Sequence, residues 1–237
     1  MNALPQPDFI AELGPCLVIN KPGGLLTQGP PGIDSLELRI KTFIKIRDEK
    51  PGKVYLGVPH RLDRPASGVM LFARHVRAAK RLSDQFRERT VEKKYWTVVQ
   101  GEVTDDAGQW SDHMKKLRDE AKSVICEQAD DGSQLATLSY KVIARNNGRS
   151  WLEIQLETGR THQIRLQASH RGHPIIGDTL YNSDQTFGPD TPDKRKRWIA
   201  LHAREITFNH PMQDKRLSMT ASLSEHWRRL DFDLPFD

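Results

Sequence analysis

The sequence predicts an α+β fold, because β-hairpin signals are mixed with a few amphipathic helices. Residues 137–145 and 150–156 alternate apolar and polar side chains, as strands do, and the Asn147-Gly148 step between them favours a tight hairpin turn. The 37% hydrophobic content of the 237 residues is enough for one sizeable core. We therefore expect one principal domain in which antiparallel strands pack against helices.

The first 15 residues are rich in proline and glycine. Three prolines and Gly14 predict a short extended arm over residues 1–15, which leads into an apolar strand at 16–20. The domain itself is then expected to span residues 16–237.

Two helices are predicted in the N-terminal half. Asp34 can cap the first helix, whose apolar face is formed by residues at i, i+4, i+7 and i+8 counted from Leu36. The second helix runs from about residue 76 to 89 and follows a buried strand at 69–73. Its outer face is rich in arginine and lysine.

The next segment, residues 94–100, alternates its side chains with the period of a strand. Tyr95 and Trp96 must then point to opposite faces of the sheet. Only one of the two aromatic rings can therefore face a cleft.

The C-terminal third is predicted to hold a helix that Thr161 caps and that ends near residue 170. Two more strands are expected, at 205–209 and 217–221, followed by a short helix that begins at Ser224.

Composition narrows the class of protein. Lysine and arginine outnumber aspartate and glutamate by 36 to 31, and the net charge of +5 suits a polyanionic partner. The two cysteines lie far apart in the sequence, which favours a reducing compartment. The N-terminus has no signal-peptide pattern, and no segment approaches the roughly 20 apolar residues of a membrane span. We expect a cytoplasmic protein with no membrane association.

The most informative motif is HRLDRPASG at residues 60–68, in which the carboxylate of Asp63 lies between Arg61 and Arg64. Such an aspartate is expected to stay ionised and to be held in one pose. The motif resembles the HRLDRxTSG signature of the RluA-type RNA pseudouridine synthases, in which the aspartate is the catalytic nucleophile. In an arbitrary sequence the same cluster would more often be a structural ion-pair network.

Further motifs in the right order carry the resemblance from about residue 16 to residue 211. They are similar to VxDKPxGLL at 18–26, KxYxA at 93–97 and TGRTHQIR at 158–165, and include GHPIIGDTLY at 172–181 and LHAR at 201–204. The sequence departs from the usual family pattern at three positions: Ala66 replaces a threonine, Asn20 an aspartate and Thr97 an alanine. None of these departures falls on a catalytic position.

The resemblance implies a pseudouridine synthase fold, with a mixed, mainly antiparallel central sheet and flanking helices. It also implies the catalytic roles. Asp63 is the nucleophile, Arg165 makes a salt bridge to it, and Tyr95 stacks on the target base and removes the proton from C5. The sequence leaves open whether Asp63 attacks C1′ of the ribose, attacks C6 of the base, or assists elimination.

The resemblance and the basic residues also suggest RNA contacts. Lys21 is expected near the RNA, and Arg61 to support the position that the flipped nucleotide vacates. Arg160 is expected either to contact a phosphate or to have a structural role. The remaining candidates are His162 and Gln163, which would brace the cleft, and the cations Arg64, Lys115 and Lys116.

No cofactor or metal is expected. The sequence has no Walker A loop, no GxGxxG after a strand and no HExxH, and the reaction needs neither a redox step nor an energy source. His170 and His173 form an HxxH pair, but no third ligand lies at a natural spacing, so we interpret them as structural.

The function expected from the resemblance is the isomerisation of specific uridines in structured rRNA or tRNA. The sequence has no room for the S4 domain that many relatives carry, so RNA selection is expected from the catalytic domain, acting as a monomer. Two alternatives remain: a non-catalytic RNA-binding or ribosome-assembly factor that keeps the fold, and a nucleic-acid glycosylase that uses the same carboxylate.

Overall fold

The computed structural model describes residues 4–232, which form ten strands and three α-helices. The strands are β1 (Asp8–Leu13), β2 (Cys16–Lys21), β3 (Ser67–Ala73), β4 (Glu92–Gln100), β5 (Ala107–Lys116), β6 (Ser123–Ile125), β7 (Gln134–Asn146), β8 (Arg149–Leu156), β9 (Leu201–Asn209) and β10 (Arg216–Thr220). The helices are α1 (Leu36–Arg47), α2 (Val76–Arg87) and α3 (Gln163–His170). None of the helices in residues 4–232 has the length and hydrophobicity that crossing a membrane requires.

All ten strands belong to one sheet, in the order β1-β2-β3-β9-β4-β8-β7-β5-β6, with β10 also paired to β9. Every pairing is antiparallel except the one between β3 and β9. The predicted α+β class and the mixed, mainly antiparallel sheet are therefore confirmed.

The parallel contact between β3 and β9 depends on Gly68. Its φ is +121°, and a Cβ at this position would lie 2.3 Å from the carbonyl oxygen of Ala203 and 2.4 Å from its nitrogen. A side chain would therefore push the two strands apart. This close approach joins the strand that follows Asp63 to the middle of the sheet.

The hydrophobic core has two large parts that meet at the centre of the sheet, and a small third cluster formed by Met114, Ala136, Leu166 and Tyr181. One part lies beneath β2 and β3 and is covered by α1, which buries Leu36, Ile40 and Ile44, and by α2, which buries Leu82. The other part gathers around β4, β8 and the C-terminal segment. Tyr95 packs against both parts, so its ring lies at the boundary between them.

The hairpin predicted from the Asn147-Gly148 step is confirmed. It joins β7 to β8, and both turn residues have positive φ, at 51° and 67°. This backbone is typical of a type I′ turn, which only small or amide residues adopt readily.

The predicted helix caps are wrong at two positions. The side chain of Ser35, not that of Asp34, caps α1 by accepting a hydrogen bond from Leu38 N–H at 3.3 Å. At the start of α3 the cap position is His162, with φ at 57° and no side-chain cap, instead of Thr161.

The predicted N-terminal arm also differs, because β1 pairs with β2 and belongs to the sheet. Gly14, at φ 58°, makes the turn between them. Strands β5 and β6 were not predicted, and the C-terminal helix is a 3-10 helix, Glu225–Leu230. The predicted extents 1–15 and 16–237 include residues 1–3 and 233–237, which lie outside the described residues.

Candidate active site

A cavity of about 790 Å³ opens over the boundary between the two parts of the core. Apolar side chains of Leu62, Leu156 and Leu201 form part of its wall. Two carboxylates, Asp63 and Glu157, line it. The basic side chains that line it are more numerous: Arg61, Arg87, Arg89, Lys93, Lys116, Arg160 and Arg165. The cavity is therefore suited to a polyanion that carries flat aromatic rings.

The turn formed by residues 62–66 places Asp63 at this cavity. The amino group of Lys21 is fully buried and donates hydrogen bonds to the carbonyls of Arg64 and Ala66, at 3.1 and 2.7 Å. The hydroxyl of Thr27 bonds both the N–H and the carbonyl of the first residue of the turn. The backbone that carries Asp63 is thus fixed from below by two side chains.

Lys21 has a second pair of acceptors, the carbonyls of Pro22 and Leu25, at 2.9 and 2.7 Å. Its single amino group therefore ties the loop after β2 to the turn that carries Asp63. Burial lowers the pKa of Lys21 to about 7, against the opposing effect of the Asp63 charge. A carboxylate close to this amine favours its charged form.

Among residues 4–232, the guanidinium that pairs with the carboxylate of Asp63 is that of Arg165. Arg165 donates from Nη1 to Oδ2 of Asp63 at 3.0 Å. Its other two nitrogens bond Asp178, with Nε to Oδ2 at 2.6 Å and Nη2 to Oδ1 at 2.8 Å. Burial alone would lower the pKa of Arg165, but the bonds and charges of the two carboxylates raise it, so the guanidinium stays charged.

A second layer supports this ion pair. The guanidinium of Arg165 lies over the ring of Tyr181, 5.0 Å from its centroid. The hydroxyl of Tyr181 is 2.9 Å from Nδ1 of His162, whose Nε2 is 3.7 Å from Oδ2 of Asp63. Burial lowers the pKa of His162, although Asp63 opposes the shift, and the imidazole is neutral at neutral pH. His162 thus presents a neutral ring beside the carboxylate.

Tyr95 faces the same cavity from β4. The pairing of β4 with β9 shifts register here because β9 carries one extra residue, Arg204, whereas the pairing of β4 with β8 continues without a break, so β4 keeps its alternation. Burial and then the negative charge of Asp63 raise the pKa of Tyr95. The phenol is therefore protonated at neutral pH.

Trp96 points to the opposite face, as the strand periodicity predicts. Its indole N–H donates to Glu153 at 3.2 Å, and the guanidinium of Arg204 lies 4.5 Å from its ring centroid. Of the two adjacent aromatic residues, only Tyr95 lines the cavity.

His60 closes one side of the cavity. Its Nε2 accepts the N–H of Leu71 at 2.9 Å, and its ring stacks on Phe86 with centroids 4.4 Å apart. Burial, with a smaller contribution from the charge of Lys93, lowers the pKa of His60 to about 3. His60 is thus a neutral structural residue at this edge.

Comparison with protein families decides the class of this site. Residues 15–170, more than half of the chain, match the family described as RNA pseudouridylate synthase. The chain belongs to the RNA pseudouridine synthases. Members of this family are isomerases that act on uridine in RNA, and the predicted membership is confirmed.

Three curated relatives illustrate the similarity. The synthase is 32% identical over 240 residues to ribosomal large subunit pseudouridine synthase D of Xanthomonas campestris. The aligned region covers 97% of this chain and 68% of that protein. It is 31% identical over 219 residues to ribosomal large subunit pseudouridine synthase C of Vibrio vulnificus, and the aligned region covers 90% of this chain and 65% of that protein. It is 30% identical over 230 residues to an uncharacterised RNA pseudouridine synthase of Synechocystis, with 94% and 67% covered. The chain spans about two thirds of the length of these relatives.

Solved structures show the same fold. Human RNA Pseudouridylate Synthase Domain Containing 4 superposes with a TM-score of 0.77 at 24% identity, covering 96% of this chain and 94% of that one. Human RNA Pseudouridylate Synthase Domain Containing 1 superposes with a TM-score of 0.68 at 21% identity, covering 91% of this chain and 83% of that one. The predicted pseudouridine synthase fold is confirmed.

The structure brings together most of the residues that the sequence singled out in this synthase. Arg165 is the arginine that pairs with Asp63, and Tyr95 shares their cavity. Five predicted RNA contacts also line it: Arg61, Lys116, Arg160, His162 and Gln163. Arg61 is exposed and Arg160 is half-buried, with its Nε bonded to the carbonyl of Leu135.

Three other predicted RNA contacts, Lys21, Arg64 and Lys115, do not line the cavity, and the side chain of Gln163 is mostly engaged within the protein. The amine of Lys21 is buried among carbonyls, and the buried side chain of Gln163 bonds Thr158, the backbone of Arg160 and the carbonyl of Thr137. Arg64 does not line the cavity, and Lys115 pairs with Asp130 at 2.7 Å. Lys21 and Gln163 match the family motifs in the sequence. In the structure, however, the amine of Lys21 and the amide of Gln163 form hydrogen bonds to the backbone.

Sequence reasoning assigned no role to Asp178 and Tyr181, although both lie in the GHPIIGDTLY motif. Asp178 follows Arg165 by 13 residues, and this separation gives no periodicity that would reveal the ion pair. The one signal in the sequence for these two residues is that they lie three positions apart at the end of a motif that matches the family. His173, a further polar residue of that motif, lies with its Nδ1 3.0 Å from the carbonyl oxygen of Gln100.

Proposed function

We propose that this chain isomerises uridine to pseudouridine in large-subunit ribosomal RNA, with Asp63 as the nucleophile. The RNA class follows from relatives that are named ribosomal large subunit pseudouridine synthases. The observation that carries the catalytic assignment is the geometry of Asp63, whose Oδ2 is bound by Arg165. Within residues 4–232, Oδ1 of the same carboxylate has no hydrogen-bond partner, so it is available to substrate at the cavity.

The reaction sets simple demands on the site. The N1–C1′ bond breaks, a C5–C1′ bond forms, C5 loses its proton and N1 gains one. Asp63 must be ionised at the start, whether it attacks C1′, attacks C6 or assists elimination from the ribose. The charged Arg165 beside it favours that ionised form and holds its oxygens in place.

The detached base must also be held while it turns. The ring of Tyr95 offers a stacking surface, and stacking is worth about 1–3 kcal/mol per base in nucleic-acid sites. This offsets part of the few kcal/mol needed to extrude a base from its stack. The apolar walls formed by Leu62, Leu156 and Leu201 allow the base to turn without exchanging hydrogen bonds.

The hydroxyl of Tyr95 is proposed to carry the proton from C5. Since burial and Asp63 raise the pKa of Tyr95, the phenol is protonated when the substrate binds. It can accept the C5 proton only while its own proton passes to another base. The carboxylate of Asp63, free again once the C5–C1′ bond has formed, is close enough to influence this phenol and is the proposed acceptor.

The experiment that tests the proposal follows the hydrogen at C5. Uridine and pseudouridine have equal mass, but C5 loses its hydrogen in every turnover. Unmodified ribosomal RNA and transfer RNA, each tritiated at C5 of uridine, are incubated separately with the protein, and tritium released to water is counted. Release from large-subunit ribosomal RNA supports the proposal, and release from transfer RNA alone overturns the RNA class.

The two alternatives have separate outcomes in the same assay. A glycosylase would release free uracil, which chromatography of the small molecules detects, and would leave C5 tritium on the base. A binding factor would retain RNA on a filter without release of tritium or base. Either result would overturn the assignment of Asp63 as the nucleophile of an isomerase.

A further inference from the structure

Three cations at the edge of the cavity have no ion-pair partner within residues 4–232: Arg89, Lys93 and Arg160. They come from three different elements of the fold. Arg89 follows the end of α2, Lys93 lies on β4, and Arg160 lies in the loop between β8 and α3. We call these three residues the Arg89–Lys93–Arg160 cluster.

The side chain of Arg89 is close enough to Lys93 and to Arg160 for its charge to repel both. The charge of Arg89 lowers the pKa of Lys93, after burial, and it lowers the pKa of Arg160 in the same way. A Cβ on Gly159 would lie 3.5 Å from Nζ of Lys93, so this amine sits against the backbone that carries Arg160.

The side chain of Arg160 and the backbone of Arg89 are held in place before any ligand binds. Nε of Arg160 is bonded to the carbonyl of Leu135 at 3.0 Å, which leaves its two terminal nitrogens for a ligand. Arg89 has φ at 59°, and its N–H bonds the carbonyl of Phe86 where α2 ends. Glycine is the usual residue at this left-handed position, and an arginine there bears a backbone cost.

The cluster lies beside the nucleophile and the stacking ring. Lys93 is two residues from Tyr95 on the same strand, so both side chains project from one face with Cα atoms about 7 Å apart. An anion held by the cluster would therefore belong to the nucleotide chain next to a base stacked on Tyr95.

From this placement we propose that the Arg89–Lys93–Arg160 cluster is the binding site for an RNA backbone phosphate that flanks the target uridine. The proposal rests on the proposed function and adds the group by which the cavity recognises a uridine within a polynucleotide. An anion between the three cations replaces the repulsion from Arg89 by attraction, and arginine binds phosphate oxygens with paired N–H donors. The side chains of Glu157 and Asp63 line the same cavity, but Glu157 accepts a bond from Gln109 and Asp63 is held by Arg165.

The test measures RNA affinity at several salt concentrations. The probe is a fluorescein-labelled, unmodified transcript of large-subunit ribosomal RNA. Fluorescence anisotropy gives the dissociation constant for three proteins: the wild type, Lys93→Gln and the double variant Arg89→Gln/Arg160→Gln. We expect the dissociation constant to rise about tenfold for Lys93→Gln and more for the double variant. Loss of a phosphate contact should also lower the slope of log affinity against log salt by about 0.7.

Two further variants keep the test falsifiable. Lys80→Gln removes an exposed lysine of α2 outside the cavity and should leave both the affinity and the slope unchanged. Lys93→Arg keeps the cation and should restore most of the affinity, which a merely structural defect would not allow. Inorganic phosphate, compared with sodium chloride at equal ionic strength, distinguishes a site for free phosphate, which it would saturate, from a site for the RNA backbone.

The outcomes separate this proposal from the proposed function. If the cluster variants match Lys80→Gln in affinity and in salt slope, the phosphate site is wrong even where the wild type releases tritium. If the wild type releases no tritium but the cluster variants lose affinity and salt dependence, the phosphate site stands and the isomerase assignment fails. Competition by inorganic phosphate alone, with unchanged RNA affinity in the variants, overturns the assignment to the RNA backbone.

Discussion

Asp178 holds Arg165 at two points, through Nε at 2.6 Å and Nη2 at 2.8 Å, and leaves Nη1 to bond Asp63. Asp178 is buried at the base of the site, whereas Asp63 is partly exposed to the cavity. The arginine is therefore oriented by a carboxylate that substrate does not reach. The position of the proposed nucleophile thus depends on a second, buried aspartate.

This dependence predicts the effect of Asp178→Asn. The amide keeps the size of the carboxylate but loses one acceptor and the charge, so Arg165 can shift away from Asp63. A displacement of about 1 Å in an active site can cost on the order of 100-fold in rate. We expect kcat for tritium release to fall by about that factor, with little change in KM.

The control for this variant is Asp193→Asn, which alters an aspartate that pairs with Arg195 and does not line the cavity. Circular dichroism must show that Asp178→Asn is folded, because breaking a buried ion pair also costs stability, about 3–5 kcal/mol. A folded Asp178→Asn protein with the kcat of the control would show that Asp178 does not position Arg165.

Lys21→Met separates support of the turn from RNA binding. Removal of the amine leaves buried carbonyls without a donor, each at a cost of about 1–3 kcal/mol, so urea unfolding should give a lower free energy of unfolding. We expect kcat to fall while the dissociation constant for RNA stays unchanged. Lys41→Met, which alters a lysine at the surface of α1, is the matched control.

If Lys21 contacted RNA, as the family motif suggests, the result would be different. The dissociation constant would rise and its salt dependence would weaken, as expected for a lost phosphate contact. That outcome, with kcat unchanged, would contradict the role of Lys21 in holding the turn that carries Asp63.

Tyr95 has two proposed tasks, and two substitutions separate them. Tyr95→Phe keeps the ring but loses the proton-carrying hydroxyl, so we expect RNA affinity within about twofold of wild type and a kcat lower by about 100-fold or more. Tyr95→Leu also removes stacking worth about 1–3 kcal/mol and should weaken RNA binding. Tyr55→Phe, at an exposed tyrosine outside the cavity, controls for loss of a hydroxyl.

The proton-carrier role fails if Tyr95→Phe turns over at the wild-type rate. The stacking role fails if Tyr95→Leu binds RNA as tightly as the wild type. Quenched single-turnover reactions give both values from the same samples, since they separate binding from the chemical step.

The sequence predicts the parts of this molecule that depend on local patterns. The β7–β8 hairpin follows from the backbone preferences of Asn147 and Gly148, and the opposite directions of Tyr95 and Trp96 follow from strand periodicity. The pairing of Arg165 with Asp63, 102 residues away, was predicted only by the resemblance to the family. Spacing in the sequence carries no information about such a contact.

Features decided by tertiary packing were missed. Lys21 resembles an RNA ligand in the sequence, but four carbonyls surround its amine because the turn that carries Asp63 packs over it. The role of Asp178 depends on the loop after α3 returning beneath Arg165, which no local pattern indicates. The N-terminal β1 was missed because the prolines and Gly14 around it suggested an irregular arm.

Stability should decrease in mild acid because of a buried histidine. His202 is buried and bonds Ser67 through Nδ1 and the carbonyl of Ala221 through Nε2. Burial lowers its pKa to about 4, against the opposing effect of the bond to Ala221. The unfolded state then binds more protons between about pH 6.5 and 4, so folded stability falls as pH decreases through this window.

The expected loss from this one group is about 3 kcal/mol across the window. Urea unfolding at pH 7, 6, 5 and 4 measures it, and His202→Gln should be less stable at pH 7 but show a flatter dependence on pH. His113→Gln, at a partly exposed histidine on β5, is the control. Equal pH dependence in wild type and His202→Gln would contradict the assignment.

The most direct test of the central claim compares the wild type with Asp63→Asn in single-turnover tritium release from C5-labelled, unmodified large-subunit ribosomal RNA. Asparagine keeps the shape of the side chain and can still accept the bond from Arg165, but it has no charge and is not a nucleophile. We predict that Asp63→Asn binds RNA like the wild type and releases tritium at least about 1,000-fold more slowly. An Asp63→Asn protein that forms pseudouridine at a rate within about tenfold of the wild type would contradict the account.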